Sequence, residues 1–177
     1  GGHILWKSED GGQSWEQSAG GEATREELAW LVIPRQDADK IYAAGSPGLF
    51  EVDHDGKSWT YQGNIGAPLV QANRLVASPI ADGPIYASVG GAVYSSLNPK
   101  VGEWVRGEGL LATVVRDVAP DPNSSDVAYA GVYLPNKWSV FVTKDRGKTW
   151  LVKGWIANNN CSQESIGPFR GRGARSK

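Results

Sequence analysis

Two adjacent side chains, Arg116 and Asp117, are candidates for chemistry because they interrupt an otherwise apolar run, residues 114–119. Neighbouring residues of a β-strand point to opposite sides, so one of the two is expected to meet the central channel that the inner strands of a repeat array line. A carboxylate placed there could act in glycoside hydrolysis, which needs two carboxyl groups about 5 to 10 Å apart. Asp117 is therefore a catalytic candidate, although its partner is unknown, and Arg116 is a ligand-binding candidate.

Possible second carboxylates lie in loops that are predicted on the same face as Asp117. They are Glu22, Glu26, Glu27 and Glu108. Nothing in their spacing pairs any of them with Asp117. Each is therefore expected to be an ordinary solvated carboxylate.

A predicted hairpin, GVYLPNKW at residues 131–138, carries Tyr133, Lys137 and Trp138. Aromatic rings on a loop can stack against sugar rings or against the apolar side chains of a protein partner. These three residues, with Arg116, are the predicted ligand-binding set. The alternative is that the two rings only pack across the edge of the sheet.

Composition excludes several classes of function. A net charge of −1 over 177 residues argues against a nucleic-acid binder that relies on counterion release. Two histidines and one cysteine, Cys161, leave no zinc cluster and no intramolecular disulfide, so no metal and no cofactor are expected. No apolar run approaches the roughly 18 residues of a membrane span. The first residues have no features of a signal peptide.

The elements that position these residues are marked by a repeated motif, S/T-x-D-x-G-x-S/T-W. It occurs as SEDGGQSW at residues 8–15 (box 1) and as TKDRGKTW at residues 143–150 (box 4). Its acid and hydroxyl groups can bond the backbone of their own turn, its glycine adopts a conformation that other residues resist, and its tryptophan starts a strand by burying its ring. The structural residues of these two boxes are Ser8, Asp10, Gly12, Trp15, Thr143, Asp145, Gly147 and Trp150.

Two diverged copies lie between them, VDHDGKSW at residues 52–59 (box 2) and SSLNPKVGEW at residues 95–104 (box 3). Box 2 keeps Gly56, Ser58 and Trp59 but has His54 in place of the acid, so Asp53 or Asp55 is expected to hold its turn. Box 3 keeps Trp104. One carboxylate per box, engaged by its own turn, does not predict calcium binding.

The tryptophans at 15, 59, 104 and 150 recur every 44 to 46 residues, which predicts propeller blades of four short strands. The predicted units are a half blade at residues 3–18 and full blades at 28–64, 73–107 and 113–155. The fold class is therefore all-β, an incomplete propeller of about three and a half four-stranded antiparallel blades. Residues 156–177, rich in Arg, Gly and Ser, are predicted to be a flexible basic tail.

The boxes, with a Tyr-Ala pair upstream of the box within each full unit, resemble the Asp-box or BNR repeat families of β-propellers over residues 3–155. The resemblance implies that each box is the turn between the third and fourth strands of a blade. Members include sialidases, xyloglucan-active glycoside hydrolases, the photosystem II assembly factor and sortilin-type receptors. Because these proteins share blades and not chemistry, the resemblance alone does not assign a function.

The resulting functional hypothesis is a non-enzymatic scaffold or recognition propeller that binds protein or carbohydrate and is extracellular or periplasmic in its full-length form. The alternative is a fragment of a xyloglucanase-like or sialidase-like glycoside hydrolase that lacks a complete active site. The inner-strand arginine motif of sialidases is absent, and Arg116 alone does not replace it. An open half-ring is expected to need further blades or a partner chain over its edges.

Overall fold

The computed structural model describes residues 5–17, 28–35, 37–45, 48–66, 72–99, 103–110, 114–135 and 137–157. The regular structure within these ranges is β-strand. No helix long and apolar enough to cross a membrane is found among them. The predicted tail lies outside the described residues, apart from its first two positions, which end the last strand.

The strands form one two-stranded and three four-stranded antiparallel sheets, and consecutive strands are neighbours in each sheet. The two-stranded sheet consists of β1 Trp6–Lys7 and β2 Glu16–Gln17. Sheet 1 consists of β3 Leu28–Val32, β4 Lys40–Gly45, β5 Leu49–Asp53 and β6 Trp59–Gly63. Sheet 2 consists of β7 Ala72–Ala77, β8 Ile85–Val89, β9 Ala92–Ser96 and β10 Val105–Arg106. Sheet 3 consists of β11 Val114–Pro120, β12 Ala128–Leu134, β13 Lys137–Thr143 and β14 Leu151–Ala157.

The first strands of the three sheets lie side by side, since β7 contacts both β3 and β11. Apolar side chains are buried where one sheet packs on the next. One cluster, which includes Tyr42, Leu75 and Ile85, joins sheets 1 and 2, and another, which includes Tyr86 and Trp150, joins sheets 2 and 3. The prediction of successive four-stranded antiparallel sheets is confirmed.

We call the first strand of each four-stranded sheet its inner strand. Each inner strand contains a β-bulge at the equivalent position. The register with the second strand shifts between Leu28 and Trp30 in β3, between Ala72 and Arg74 in β7, and between Val115 and Asp117 in β11. A bulge adds one residue and changes which side chains share a face. Val115 and Val118, three residues apart, therefore belong to the same buried cluster.

The simple alternation expected from the sequence does not hold at Arg116 and Asp117. Arg116 is the extra residue of the bulge in β11, and both side chains are exposed. The two charged groups therefore both reach solvent at the inner strand, and the expectation that one of them meets a central channel stays a prediction.

Boxes 1 and 4 are fastened by their own side chains, as predicted. In box 4, Asp145 Oδ1 accepts the backbone N–H of Thr149 at 2.9 Å and the hydroxyl of Thr143 at 2.7 Å. In box 1, Asp10 Oδ1 accepts the N–H of Ser14 at 2.9 Å and the hydroxyl of Ser8 at the same distance. The two turns thus share one hydrogen-bond pattern.

The turn of box 2 is also closed by carboxylates, but they stand at different positions of the motif. The N–H of Ser58 donates to Asp53 Oδ1 at 2.9 Å, and the N–H of Lys57 donates to Asp55 Oδ1 at 3.1 Å. The hydrogen bonds from Lys57 lower the pKa of Asp55 to about 2. Both candidate acids therefore hold the turn. In box 3, Ser96 Oγ accepts the N–H of Asn98 at 3.1 Å.

The tryptophans of three boxes make the same local contact but differ in burial. The indole N–H donates to the carbonyl three residues earlier in Trp15, Trp59 and Trp150, at 3.2, 2.9 and 3.0 Å. Trp150 is 1% exposed, whereas Trp15 is 58% exposed; Trp59 and Trp104 lie between them. The expectation of a buried ring is wrong for Trp15, because its two-stranded sheet does not enclose the ring.

Gly147 in box 4 is expected to tolerate no side chain. Its φ is 88°, and an added Cβ would lie 2.9 Å from Tyr86 Cε1 and 3.0 Å from Ser95 Oγ. Gly147→Ala should lower the free energy of unfolding by about 2 kcal/mol or more, since backbone strain and overlap add. Gly11 in box 1, with φ 71° and nothing within 4 Å, is the control. Its change to alanine should cost about 1 kcal/mol in the same urea titration, the cost of the left-handed backbone alone, and equal losses would contradict the contribution of overlap.

Candidate functional site

The predicted binding residues of sheet 3 lie at the end of the sheet opposite box 4. One cross-strand row contains Val114, Tyr133, Trp138 and Ile156. The row at the other end contains Pro120, Ala128 and Thr143, the first residue of box 4. Tyr133 and Trp138 are thus at the same end of the sheet as the bulge that carries Arg116 and Asp117.

Tyr133 and Trp138 form an aromatic pair across β12 and β13. Their ring centroids are 5.1 Å apart and the planes are tilted by 59°. Trp138 is 41% exposed, and Tyr133 is half-buried. Tyr133 therefore supports one side of the Trp138 ring while the remainder faces solvent. Lys137, also exposed, pairs with Leu134 in the next row.

A second group of side chains follows the bulges of the inner strands and connects the three sheets. Trp30, Arg74 and Asp117 occupy the same position after each bulge. The Arg74 guanidinium carbon lies 4.6 Å from the centroid of the Trp30 ring. Arg74 Nε lies 3.0 Å from Asp117 Oδ1. We call these three residues the inner row.

The Arg74–Asp117 contact is an ion pair without an aligned hydrogen bond, because Arg74 Nε has no hydrogen-bond partner in the described part of the chain. The two side chains are 37% and 61% exposed. An ion pair that open to solvent contributes at most about 1 kcal/mol to stability. The ion pair of the inner row therefore contributes little to the stability of the fold.

Backbone carbonyls complete the contacts between the inner strands. The Trp30 indole N–H donates to the carbonyl of Ala72 at 3.2 Å. The Asn73 side-chain amide donates to the carbonyls of Gly90 and Val115 at 3.5 and 3.4 Å. These hydrogen bonds thus link the inner strands of neighbouring sheets.

The glutamates considered as partners of Asp117 are not brought to it among the described residues. Glu108 lies beside box 4, because its N–H donates to the carbonyl of Lys148 and its carbonyl accepts the N–H of Trp150, both at 2.9 Å. The expectation that it shares a face with Asp117 is therefore wrong. Glu22, Glu26 and Glu27 lie outside the described residues. In the described ranges, no group of three or more His, Cys, Asp or Glu side chains could hold a metal ion.

Sequence reasoning missed Trp30 and Arg74. One feature of the sequence marks these three positions as equivalent: Trp30, Arg74 and Asp117 are each followed by a branched aliphatic residue of an inner strand. The distance from these residues to the proline that follows the apolar run differs between units. Pro34 comes four residues after Trp30, Pro79 five after Arg74 and Pro120 three after Asp117. Aligning the units on their prolines therefore separates three residues that the bulges place together.

Comparison with known proteins identifies the fold. No protein-family model matches the chain, and no curated protein sequence does so significantly. Among solved structures it is similar to a GH74 enzyme from Niastella koreensis, with 19% identity over 88% of this chain and 28% of that one and a TM-score of 0.65. A GH74 xyloglucanase from Xanthomonas campestris is 20% identical over 83% of this chain and 26% of that one, with a TM-score of 0.63.

An ancestral GH74 enzyme is also similar, with 20% identity over 82% of this chain and 20% of that one and a TM-score of 0.55. The chain therefore spans between a fifth and somewhat more than a quarter of the length of these enzymes. At this level of identity the likeness shows the fold alone. The chain has the all-β, propeller-like architecture of the GH74 enzymes.

Proposed function

We propose that the chain is an Asp-box (BNR) repeat segment of a β-propeller and that it recognises carbohydrate without catalysing a reaction. The observation that carries this proposal is the partly exposed Tyr133–Trp138 pair, which lies at the same end of sheet 3 as Arg116 and Asp117. Aromatic rings beside a few polar groups are typical of sites that bind small organic ligands.

The chemistry of the site suits a neutral sugar. The C–H face of a pyranose ring can pack on the open side of Trp138, which Tyr133 supports from the other side. The guanidinium of Arg116 offers donors to sugar hydroxyls, and the carboxylate of Asp117 is an acceptor. One similar structure is a xyloglucanase by its description. Xyloglucan oligosaccharides are therefore the first ligands to test.

Sugar polymers of this kind occur outside the cell, and we propose an extracellular or periplasmic location for the full-length protein. We also propose that further blades or a partner chain pack on the half of the outer face of sheet 3 that lies nearer box 4, which leaves the Tyr133–Trp138 pair at the other end open. Besides Trp138, four large apolar side chains of sheet 3 are 38 to 70% exposed, more than a surface that contacts only solvent requires. They are Tyr129, Val140, Leu151 and Val152.

Trp138→Ala is expected to weaken the binding of xyloglucan oligosaccharides at least tenfold, since it removes the stacking surface. The affinity is measured by titration calorimetry on the full 177-residue chain. Trp15→Ala is the matched control, because Trp15 is also exposed but belongs to box 1. Equal affinity in the wild type and in Trp138→Ala would contradict the proposed site.

Glycoside hydrolysis is the second candidate, and the exposed carboxylate of Asp117 beside Arg74 favours it. Recognition without catalysis predicts no release of reducing sugar from xyloglucan oligosaccharides. If the wild type releases reducing sugar and Asp117→Asn does not, the protein is a glycoside hydrolase and the proposal of recognition without catalysis is wrong. Trp138→Ala would then lower the rate without abolishing it.

A further inference from the structure

A groove of about 420 Å³ lies between the two-stranded sheet and sheet 1. It is lined by large apolar side chains that are partly exposed: Trp6 of β1 at 52%, Leu31 of β3 at 51%, and Ile33, directly after β3, at 55%. Lys7 of β1 also lines the groove. An exposed apolar surface beside charged groups is typical of an interaction site. The equivalent positions of the other two sheets indicate what covers such a surface.

Leu31 has two counterparts, and both are buried. Leu31, Leu75 and Val118 each pair with the alanine that follows the tyrosine of the second strand, so the three positions are equivalent. Leu75 and Val118 are 3% and 2% exposed, and each packs in one cluster with the tyrosine of the preceding sheet, Tyr42 or Tyr86. The sequence before β3 contains no tyrosine. Leu31 therefore lacks the ring that covers its counterparts.

β1 has an unpaired edge beside this groove. It leads into box 1 as β5, β9 and β13 lead into boxes 2, 3 and 4. Those three strands pair with the second strand of their sheet on one side and with the fourth strand on the other. Among the described residues, β1 pairs with β2 alone. Unpaired N–H and C=O groups at a strand edge are a template for a further strand, so the place of a second strand is open beside β1.

We propose that the groove binds an extended segment of another polypeptide, which pairs antiparallel with β1 and covers Leu31 with a tyrosine ring. This rests on the proposed function, that the chain is a repeat segment of an Asp-box propeller. The three second strands give the pattern of the segment, an apolar residue followed by Tyr, Ala and a small residue, at 41–44, 85–88 and 128–131. Strand addition of this kind draws affinity from backbone hydrogen bonds and specificity from side-chain pockets.

Lys7 determines which charge the segment should carry. In sheet 1, Tyr42 faces Glu51, the residue directly before box 2, and Lys40 Nζ lies 2.7 Å from a Glu51 carboxylate oxygen. Lys7, the residue directly before box 1, has the position of Glu51. It would repel a lysine in the place of Lys40 and attract an acid there, since its present partner Glu9 is 82% exposed and can turn away. The segment is therefore expected to carry an acidic residue two positions before its tyrosine.

Two capped hexapeptides test this proposal on the full 177-residue chain, with affinity measured from amide chemical shifts. KIYAAG repeats residues 40–45, and EIYAAG has glutamate in place of its lysine. Wild-type protein is expected to bind EIYAAG about two- to fivefold more tightly than KIYAAG, the ratio that an exposed ion pair supplies, with shifts at the amides of β1. Lys7→Glu restores the arrangement at Glu51 and should reverse the preference. An unchanged preference in this variant would overturn the proposed register.

Leu31→Asp should weaken the binding of EIYAAG roughly tenfold or more, since it removes the apolar surface that the tyrosine covers. Leu97→Asp is the matched control, because Leu97 is 54% exposed but does not line the groove. The control should bind EIYAAG as tightly as wild type. No saturable binding of either peptide, or equal affinity in Leu31→Asp and wild type, would overturn the proposal.

A dimer of the chain alone that dissociates in Leu31→Asp, measured by sedimentation, would show that a second copy occupies the groove and would also overturn the proposal. The peptide titration is independent of sugar binding at Trp138. Trp138→Ala should leave the affinity for EIYAAG unchanged, and Leu31→Asp should leave the affinity for xyloglucan oligosaccharides unchanged. Failure of the peptides to bind would therefore not contradict the recognition of carbohydrate.

Discussion

Replacing Trp150 by alanine is expected to lower the free energy of unfolding by about 3 to 5 kcal/mol, the usual effect of removing a large buried ring. Trp150 is 1% exposed. Its ring meets that of Tyr86 edge to face, with centroids 6.3 Å apart. It packs in the apolar cluster that joins sheets 2 and 3, so its loss leaves a cavity between two sheets.

Trp15→Ala is the control for this effect. Trp15 makes the same indole hydrogen bond to its own turn but is 58% exposed. Its replacement is expected to cost about 1 kcal/mol, the value of a single hydrogen bond. Urea denaturation of both variants measures the difference. Equal losses would mean that the bond within the turn, and not burial, determines the contribution of the box tryptophan.

Asp145→Asn is expected to destabilise the protein by about 2 kcal/mol at neutral pH, because a charged acceptor of several hydrogen bonds is lost. Burial of Asp145 acts to raise its pKa, but hydrogen bonds from Thr149 and Thr143 outweigh it and the pKa lies below its usual value. The pKa of Asp10 is likewise lowered to about 2, mainly by the hydroxyl and N–H of Ser14.

The direction of the pH dependence follows from these pKa values. A carboxyl group whose pKa is lower in the folded than in the unfolded chain stabilises the fold above its unfolded pKa, close to 4. That stability is lost as the pH falls from about 4 towards the folded pKa. Asp145→Asn should therefore lose less stability than wild type between about pH 4 and pH 2. Parallel curves for the two proteins in urea titrations across this range would contradict the assignment.

Much of the fold could be predicted from the sequence, because the information is local. The hydrogen bonds that the side chains of Thr143 and Asp145 make within box 4 join residues at most four positions apart, so the motif predicts them directly. The apolar runs and their spacing likewise predict four strands per unit. Box 2 shows the limit of the motif, because Asp53 and Asp55 together replace the acid that the pattern requires at position 54.

What could not be predicted depends on contacts between sheets. The burial of Trp150 and the exposure of Trp15 differ because sheet 2 covers one ring and the two-stranded sheet does not enclose the other. The bulges were not predicted either, because the extra residues Ala29, Asn73 and Arg116 share no chemical property that would mark them in the sequence. The position of Arg74 between Trp30 and Asp117 therefore had to come from the structure.

The backbone bonds of Glu108 tie the connection that leaves sheet 2 to box 4 of sheet 3. Units of a repeat protein often melt one after another, because each rests only on its neighbours. Here box 4 cannot open without releasing the end of the preceding unit, and Gly107 and Gly109 fit so closely around Trp150 that a Cβ at either would overlap it. We therefore expect sheets 2 and 3 to unfold as one cooperative unit, so that local opening at box 4 loosens both.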